Sequence, residues 1–248
     1  MSKIYEALKN AEKELKELMK PEFPFSQFSN TPSSSKYLEL EMEEEMIRLY
    51  RNLDSLFPDF KNKVIQFIGS REEEGTSTVV REFGKVSAIK FGKLVLLLDA
   101  DRLHPSQHSF FNIQPEYGWE EVLQNHEPII DMALYQIGDT RLFISPISSH
   151  STSNPQIFDS PRIGAFWEEL KQRFDLILVD SPPATTSPDG LALSRKVDGI
   201  ILVLEAEKTR WPVAESVKDI IIRNGGNILG IVFNKRRYYI PRFIYKRL

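Results

Sequence analysis

Cysteine is absent from the 248 residues. That excludes a disulfide framework, a Cys-ligated zinc and thiol catalysis. No run of about 18 apolar residues occurs either, so no segment is expected to cross a membrane as a helix. Histidine is scarce, with four residues, of which only His104 and His108 stand four apart. Pro105 directly after His104 disrupts that spacing, and the pair reads as loop residues rather than metal ligands. The opening stretch, MSKIYEALKNAEKELKELMK, is charged throughout and lacks the apolar core of a secretory signal, which leaves the cytoplasm as the expected location. What is present is ordinary for a globular protein: 41% hydrophobic and 27% charged residues. Wholesale disorder is excluded, and the length suffices for one large α/β domain.

The net charge of −3 is unevenly spread. Between Glu39 and Glu45 five of seven residues are glutamate, whereas the last 15 residues, NKRRYYIPRFIYKRL, hold six Lys or Arg, three Tyr and no acid. An acidic entrance and a basic exit point to interaction segments at both ends of a nearly neutral body. Ile4, Leu8, Ala11, Leu15 and Leu18 form a helical seam over residues 1–20, to be packed on the chain's own domain or reserved for a partner. Residues 21–36, rich in Pro, Ser and Phe without a period, read as a linker. A second amphipathic helix follows, with Met42, Met46, Leu49, Leu53 and Leu56 on one side.

From residue 63 onward, short apolar runs alternate with helix-like segments: VIQFI (64–68), LVLLL (94–98), LFIS (142–145), LILV (176–179), IILVL (200–204) and ILGIVF (228–233). Runs apolar on both faces, separated by helices, predict a doubly wound, mostly parallel α/β sheet covered on two sides, over residues 37–233, with a basic tail over 234–248. Ligands of such sheets bind beyond the carboxyl ends of the strands. The run ending at Ile68 continues into a Gly-containing loop, Ser77-Thr78 and a helix, the layout of a phosphate-binding loop. The run ending at Leu98 continues as Asp99-Ala100-Asp101, two carboxylates expected to point the same way, and the run ending at Val179 as Asp180-Ser181-Pro182-Pro183. A phosphate loop and three carboxylates on one edge make the inventory for Mg-nucleotide chemistry.

With these motifs in order, the sequence resembles the bacterial tyrosine kinases of exopolysaccharide synthesis, within the deviant-Walker ATPases that include MinD and ParA. LVLLLDADRLHPS is similar to their second Walker-type motif and FDLILVDSPP to their Walker B motif. Glu45-x-x-Arg48-x-x-Arg51 resembles their oligomerisation helix, and Asn154-Pro155, VDGIILVLEAEKT and ILGIVFN ending in Asn234 follow in the same order. SKIYEALKNAE resembles the leader helix of a subgroup linked to polysaccharide export. The resemblance implies ATP and Mg as cofactors, held by Gly75, Thr76, Ser77, Thr78 and Asn234, with Ser77, Asp99 and Asp180 toward the metal. Asp99, Asp101 and Asp180 would carry catalysis. It also implies a homo-oligomer, a membrane polysaccharide co-polymerase or export protein as partner, and Tyr238, Tyr239 and Tyr245 as phosphoacceptors. Location at the inner face of the plasma membrane, through that partner or through the basic tail, follows; nucleic acid is not an expected ligand.

The sequence departs from the family at the loop, which there reads roughly P-G-E-G-K-S-T and here Glu72-Glu73-Glu74-Gly75-Thr76-Ser77-Thr78. Thr76 replaces the lysine that bridges the β- and γ-phosphates, and Glu73 replaces a glycine. A cation is lost and acids are gained beside a polyanion, so nucleotide binding is expected to be weak or lost, with Arg71 and Arg81 as nearby substitute cations. The function expected is a kinase-like regulator of exopolysaccharide biosynthesis or export. The alternatives are an active tyrosine autokinase acting on its own tail, and a MinD/ParA-like positioning ATPase.

Overall fold

The computed structural model describes residues 29–30, 35–57, 61–124, 130–148 and 157–237. The seam over residues 1–20, the Asn154-Pro155 pair and the tail tyrosines Tyr238, Tyr239 and Tyr245 lie outside the described residues.

All six apolar runs form strands: β2 Lys63–Gly69, β3 Val95–Asp99, β5 Leu142–Ser145, β6 Leu176–Asp180, β7 Gly199–Glu205 and β8 Ile228–Asn234. Two short strands, β1 Ser29–Asn30 and β4 Tyr135–Gln136, complete an eight-stranded sheet of order β1-β4-β5-β3-β6-β2-β7-β8. Every pairing is parallel except β4 with β5. Ser29–Asn30 falls inside the stretch read as linker; it pairs with β4 and satisfies backbone groups on the outer side of that strand.

Parallel strands need crossovers, and the helices α1 Glu43–Leu56, α2 Thr76–Phe91, α3 Gln107–Phe110, α4 Trp119–Gln124, α5 Ile163–Arg173, α6 Pro188–Ser194 and α7 Trp211–Arg223 lie between or before them. Alternate residues of β3 serve opposite faces: Val95 and Leu97 join a core with α1 and α2, while Leu96 and Leu98 join one with α4 and α5. A third cluster, around Leu202, Val217 and Ile221, seats α7. β8 differs from the expectation of two-sided burial. It is an edge strand, and its Ile231 and Phe233 are exposed.

On α1 the buried stripe is Met46, Tyr50 and Leu53, with Tyr50 stacked on Phe91 at 3.7 Å between ring centroids. Leu56, expected on the apolar side, is the last residue of the helix and is 55% exposed. Glu45, Arg48 and Arg51 lie on the exposed side. The acidic stretch before and within α1 is anchored rather than free. Glu82 and Lys85 of α2 form a buried ion pair at 2.5 Å. Glu82 accepts from the Glu41 N–H and Lys85 donates to the Glu39 carbonyl.

Candidate functional site

β2 ends at Gly69, and the chain turns through Ser70–Gly75 into the N-terminus of α2. Gly75 adopts φ 84°, a left-handed conformation that a side chain disfavours, and a Cβ there would stand 2.4 Å from Asn234 Nδ2. Glu73 also has positive φ, 63°, at the position where the resemblance placed glycine.

Glu74 holds this loop from inside. Its side chain is 1% exposed. It accepts the N–H groups of Ser70 (2.6 Å) and Arg71 (3.1 Å), and the hydroxyls of Ser70 (2.8 Å) and, from the turn after β7, Thr209 (2.5 Å). Arg71 approaches Glu74 at 3.7 Å and Glu205 at 3.8 Å, so the first substitute cation named from the sequence is engaged within the loop. From β8, Asn234 donates to the Glu74 carbonyl at 2.9 Å, and Lys235 to that of Glu73.

The carboxylates at the neighbouring strand ends play three different parts. Asp99 and Asp180 are register partners in β3 and β6, and both are fully buried. The Asp99 side chain accepts the N–H groups of Asp101 (3.2 Å), Ser106 (3.0 Å) and Gln107 (3.0 Å). Burial and then the Asp180 charge push its pKa well above the usual carboxylate range. Asp101 accepts from the N–H groups of Leu103 (3.1 Å) and His104 (3.0 Å) and lines the cavity described below. The two aspartates therefore do not point the same way as the alternation implied: the strand ends at Asp99, and the chain turns through Ala100. Asp180 accepts from the Gln107 amide at 2.7 Å through Oδ2, its Oδ1 is buried with no hydrogen-bond partner, and the Ser77 hydroxyl is near enough to lower its pKa. Burial raises its pKa to about 6 against those lowering hydrogen bonds.

Sequence reasoning missed Gln107. Fully buried, it bonds Asp180, the Ser77 carbonyl (3.1 Å) and Arg81 Nη1 (3.2 Å), joining all three parts of the site. Arg102, also missed, fastens the same segment through Asp189 at 2.6 Å and Glu120 at 3.9 Å.

Loop and carboxylates border a cavity of about 560 Å³ lined by residues 71–78, Arg81, Asp101, His104, Ser106, Phe110, Ser181 and Pro183. Gly75, Thr76, Ser77 and Thr78 are thus brought together with Asp101. Asp99 and Asp180 lie behind this lining, and Glu45, Arg48 and Arg51 do not reach it. Four carboxylates (Glu72, Glu73, Glu74, Asp101) face two guanidiniums (Arg71, Arg81) in that lining. The unpartnered Asp180 Oδ1 beside the Ser77 hydroxyl fits a divalent cation, and the α2 N-terminus fits phosphate. Among the described residues no group of three or more His, Asp or Glu is arranged to hold a metal by itself.

No protein-family model matches the chain. It is 25% identical over 202 residues to tyrosine-protein kinase CpsD of Streptococcus agalactiae serotype III, covering 81% of this chain and 86% of that one. The kinase domain of Escherichia coli tyrosine kinase ETK superposes with a TM-score of 0.73 at 19% identity, over 82% of each chain. The Pyrococcus furiosus cell division ATPase MinD superposes with a TM-score of 0.57 at 19% identity, over 75% of this chain and 79% of that one. Its homologues are thus bacterial proteins named tyrosine-protein kinases, and its fold is the mostly parallel, MinD-like P-loop fold. Among the described residues no helix is long and apolar enough to cross a membrane.

Proposed function

We propose that this chain is a tyrosine-kinase-like P-loop protein of exopolysaccharide biosynthesis or export. It acts mainly by binding a membrane co-polymerase or export protein and other copies of itself, and its nucleotide chemistry is impaired. The observation that carries the second part is the cavity lining. The lysine position is Thr76, Arg71 is engaged by Glu74 and Glu205, and four carboxylates outnumber two guanidiniums where a polyanion would sit. A charge-assisted hydrogen bond contributes about 1.5–3 kcal/mol, so losing the lysine weakens binding roughly tenfold to a hundredfold. Transfer suffers more, because phosphoryl transfer relies on positive charge placed where the transition state is most negative.

Were nucleotide to bind, Ser77 Oγ and Asp180 Oδ1 would hold its Mg, which neutralises developing phosphate charge when present. Gln107 would keep Asp180 oriented through its other oxygen, and Asp101, which lines the cavity, is the carboxylate we assign to take a proton from an incoming hydroxyl. Asn234, whose amide donates to the Glu74 carbonyl, is the residue we assign to a base. These retained parts support the second reading, an active autokinase that phosphorylates Tyr238, Tyr239 and Tyr245. The exposed triplet Glu45, Arg48 and Arg51 is the surface we assign to self-association. The basic tail and the seam over residues 1–20 are the elements we assign to the membrane partner.

Mass spectrometry of the protein purified from its own host tests the choice. The proposed reading expects no phosphate on the three tail tyrosines. Phosphate there that disappears in an Asp180→Ala variant of the same protein favours the autokinase.

A further inference from the structure

Arg81 is the second guanidinium of the cavity, and its surroundings differ from those of Arg71. It stands on α2, four residues past Ser77, and is 8% exposed. Its plane lies over Phe110, with the guanidinium carbon 3.7 Å from the ring centroid. Nη1 donates to Gln107 at 3.2 Å and Nη2 to Thr78 Oγ1 at 3.4 Å, both neutral acceptors. Nε is buried and has no acceptor. Among the described residues no carboxylate lies within ion-pair distance of it. The acids of its surroundings are engaged elsewhere: Asp99 by three backbone N–H groups, Asp180 by Gln107 and Ser77, Glu82 by Lys85 and the Glu41 N–H.

A buried charge is costly unless it is paired. Here Arg81, 8% exposed and lining the cavity at the loop after β2, keeps a buried Nε without an acceptor. One bridging residue away, through Gln107, stands the mirror deficiency: Asp180 Oδ1, a buried acceptor without a donor. A phosphate group carrying its own divalent cation answers both at once, its oxygens to Arg81 and its metal to Asp180. The planar fork of arginine also suits phosphate better than a point charge does, and Phe110 fixes the plane of that fork.

We propose that Arg81 supplies the cation that the loop lacks at Thr76, by binding the distal phosphate of a Mg-polyphosphate chain seated in this cavity. The inference rests on the reading of the cavity as a phosphate site but not on whether transfer occurs. Of the two substitute cations expected from the sequence, it assigns the role to Arg81, because Arg71 is held by Glu74 and Glu205.

The test measures binding of Mg-ADP, Mg-ATP and Mg-pyrophosphate to the full chain by calorimetry, with melting curves as the folding control. Arg81→Gln should lose roughly tenfold to a hundredfold in affinity for all three, and the salt dependence of binding should flatten with the lost charge. Arg81→Lys, which keeps the charge but loses the planar fork, should recover only part of the affinity while restoring the salt dependence. Loss for the nucleotides without loss for pyrophosphate would place Arg81 on the nucleoside and overturn the proposal, as would a folded Arg81→Gln variant that binds like the parent. If Arg81→Gln does not fold, the unmodified protein decides. Millimolar Mg-pyrophosphate should raise its melting temperature in a salt-sensitive way, and no rise at all would mean that Arg81 is structural. Robust ATP turnover by the parent would refute the impaired-chemistry reading while leaving this proposal standing, provided that turnover falls in Arg81→Gln.

Discussion

Restoring the phosphate loop by Thr76→Lys together with Glu73→Gly should tighten Mg-ATP binding by at least about tenfold. The two substitutions act through separate physics. A lysine at residue 76 would add a charge-assisted contact to the β- and γ-phosphates, about 1.5–3 kcal/mol. Glu73 sits at φ 63°, where a residue with a Cβ is strained by about 1–2 kcal/mol, so glycine should also stabilise the fold. Removing its carboxylate reduces the acids of the cavity lining from four to three. Two unit charges about 4 Å apart interact by about 1 kcal/mol in water and about 4 kcal/mol at an effective dielectric of 20. Glu73 is exposed, so the lower figure applies. The parts that receive the ligand are untouched, because Lys235 and Asn234 grip loop carbonyls and Glu74 stays where it is. The assay is equilibrium titration with a fluorescent ATP analogue, competed by unlabelled ATP, alongside a melting curve. A double variant that melts at or above the parent temperature, yet binds ATP no more tightly, would refute the reasoning.

Glu74→Ala should be among the costliest single changes in the loop, about 3–5 kcal/mol by denaturant unfolding, because it strands several buried donors and Arg71 at once. Asp180→Asn should show the opposite sign in metal-free buffer. A carboxylate raised to about 6 when folded binds its proton more tightly than in the unfolded chain, so its stabilising contribution is complete below about pH 4 and is lost as pH rises through about 6. The variant should therefore be more stable than the parent at pH 7, by up to about 2–3 kcal/mol, and the gain should vanish toward pH 4 in a pH series of urea melts. Arg48→Glu with Arg51→Glu should leave the melting temperature unchanged, since both side chains are exposed, and should reduce oligomer size in light scattering; an unchanged oligomer would remove α1 from the contact. Deleting residues 1–28, which spares Ser29–Asn30 of β1, should shift the melting temperature by no more than a few degrees, whereas a large drop would place that segment in the core.

The fold was readable where burial is two-sided. LVLLL is apolar throughout and VIQFI at all positions but Gln66 because β2 and β3 are covered on both faces, and that leaves a clear mark in sequence. β1 and β4 are two residues each and are fixed by the sheet edge they complete, not by their composition. The loop between β2 and α2, with Ser77 in the first turn of α2 and Asp180 at the end of β6, lies where the sequence put it, because strand-end position is local information. The connections among them were not readable in sequence. Gln107 meets Ser77 across 30 residues and Asp180 across 73, and nothing in the sequence around Ser106-Gln107-His108 marks that contact. Glu74 was legible as the glutamate of the loop pattern, but the burial that sets it apart from Glu72 and Glu73 was not. Arg81 was visible as a nearby cation, but its lack of a counter-ion is a property of packing. The ion pairs of Arg71 were hidden for the same reason, since Glu205, its second partner, is more than a hundred residues away.

The central claim is that this loop, with Thr76 for lysine and acids around it, no longer supports kinase-grade nucleotide chemistry. The most direct measurement is calorimetric titration of the unmodified full-length protein with ATP and with ADP, each in the presence of Mg. The account predicts dissociation constants weaker than about 100 μM for both, with no heat of turnover above background when ATP is left in excess. Micromolar affinity for Mg-ATP accompanied by steady heat of hydrolysis, or by phosphate appearing on Tyr238, Tyr239 or Tyr245 in the recovered sample, would contradict it.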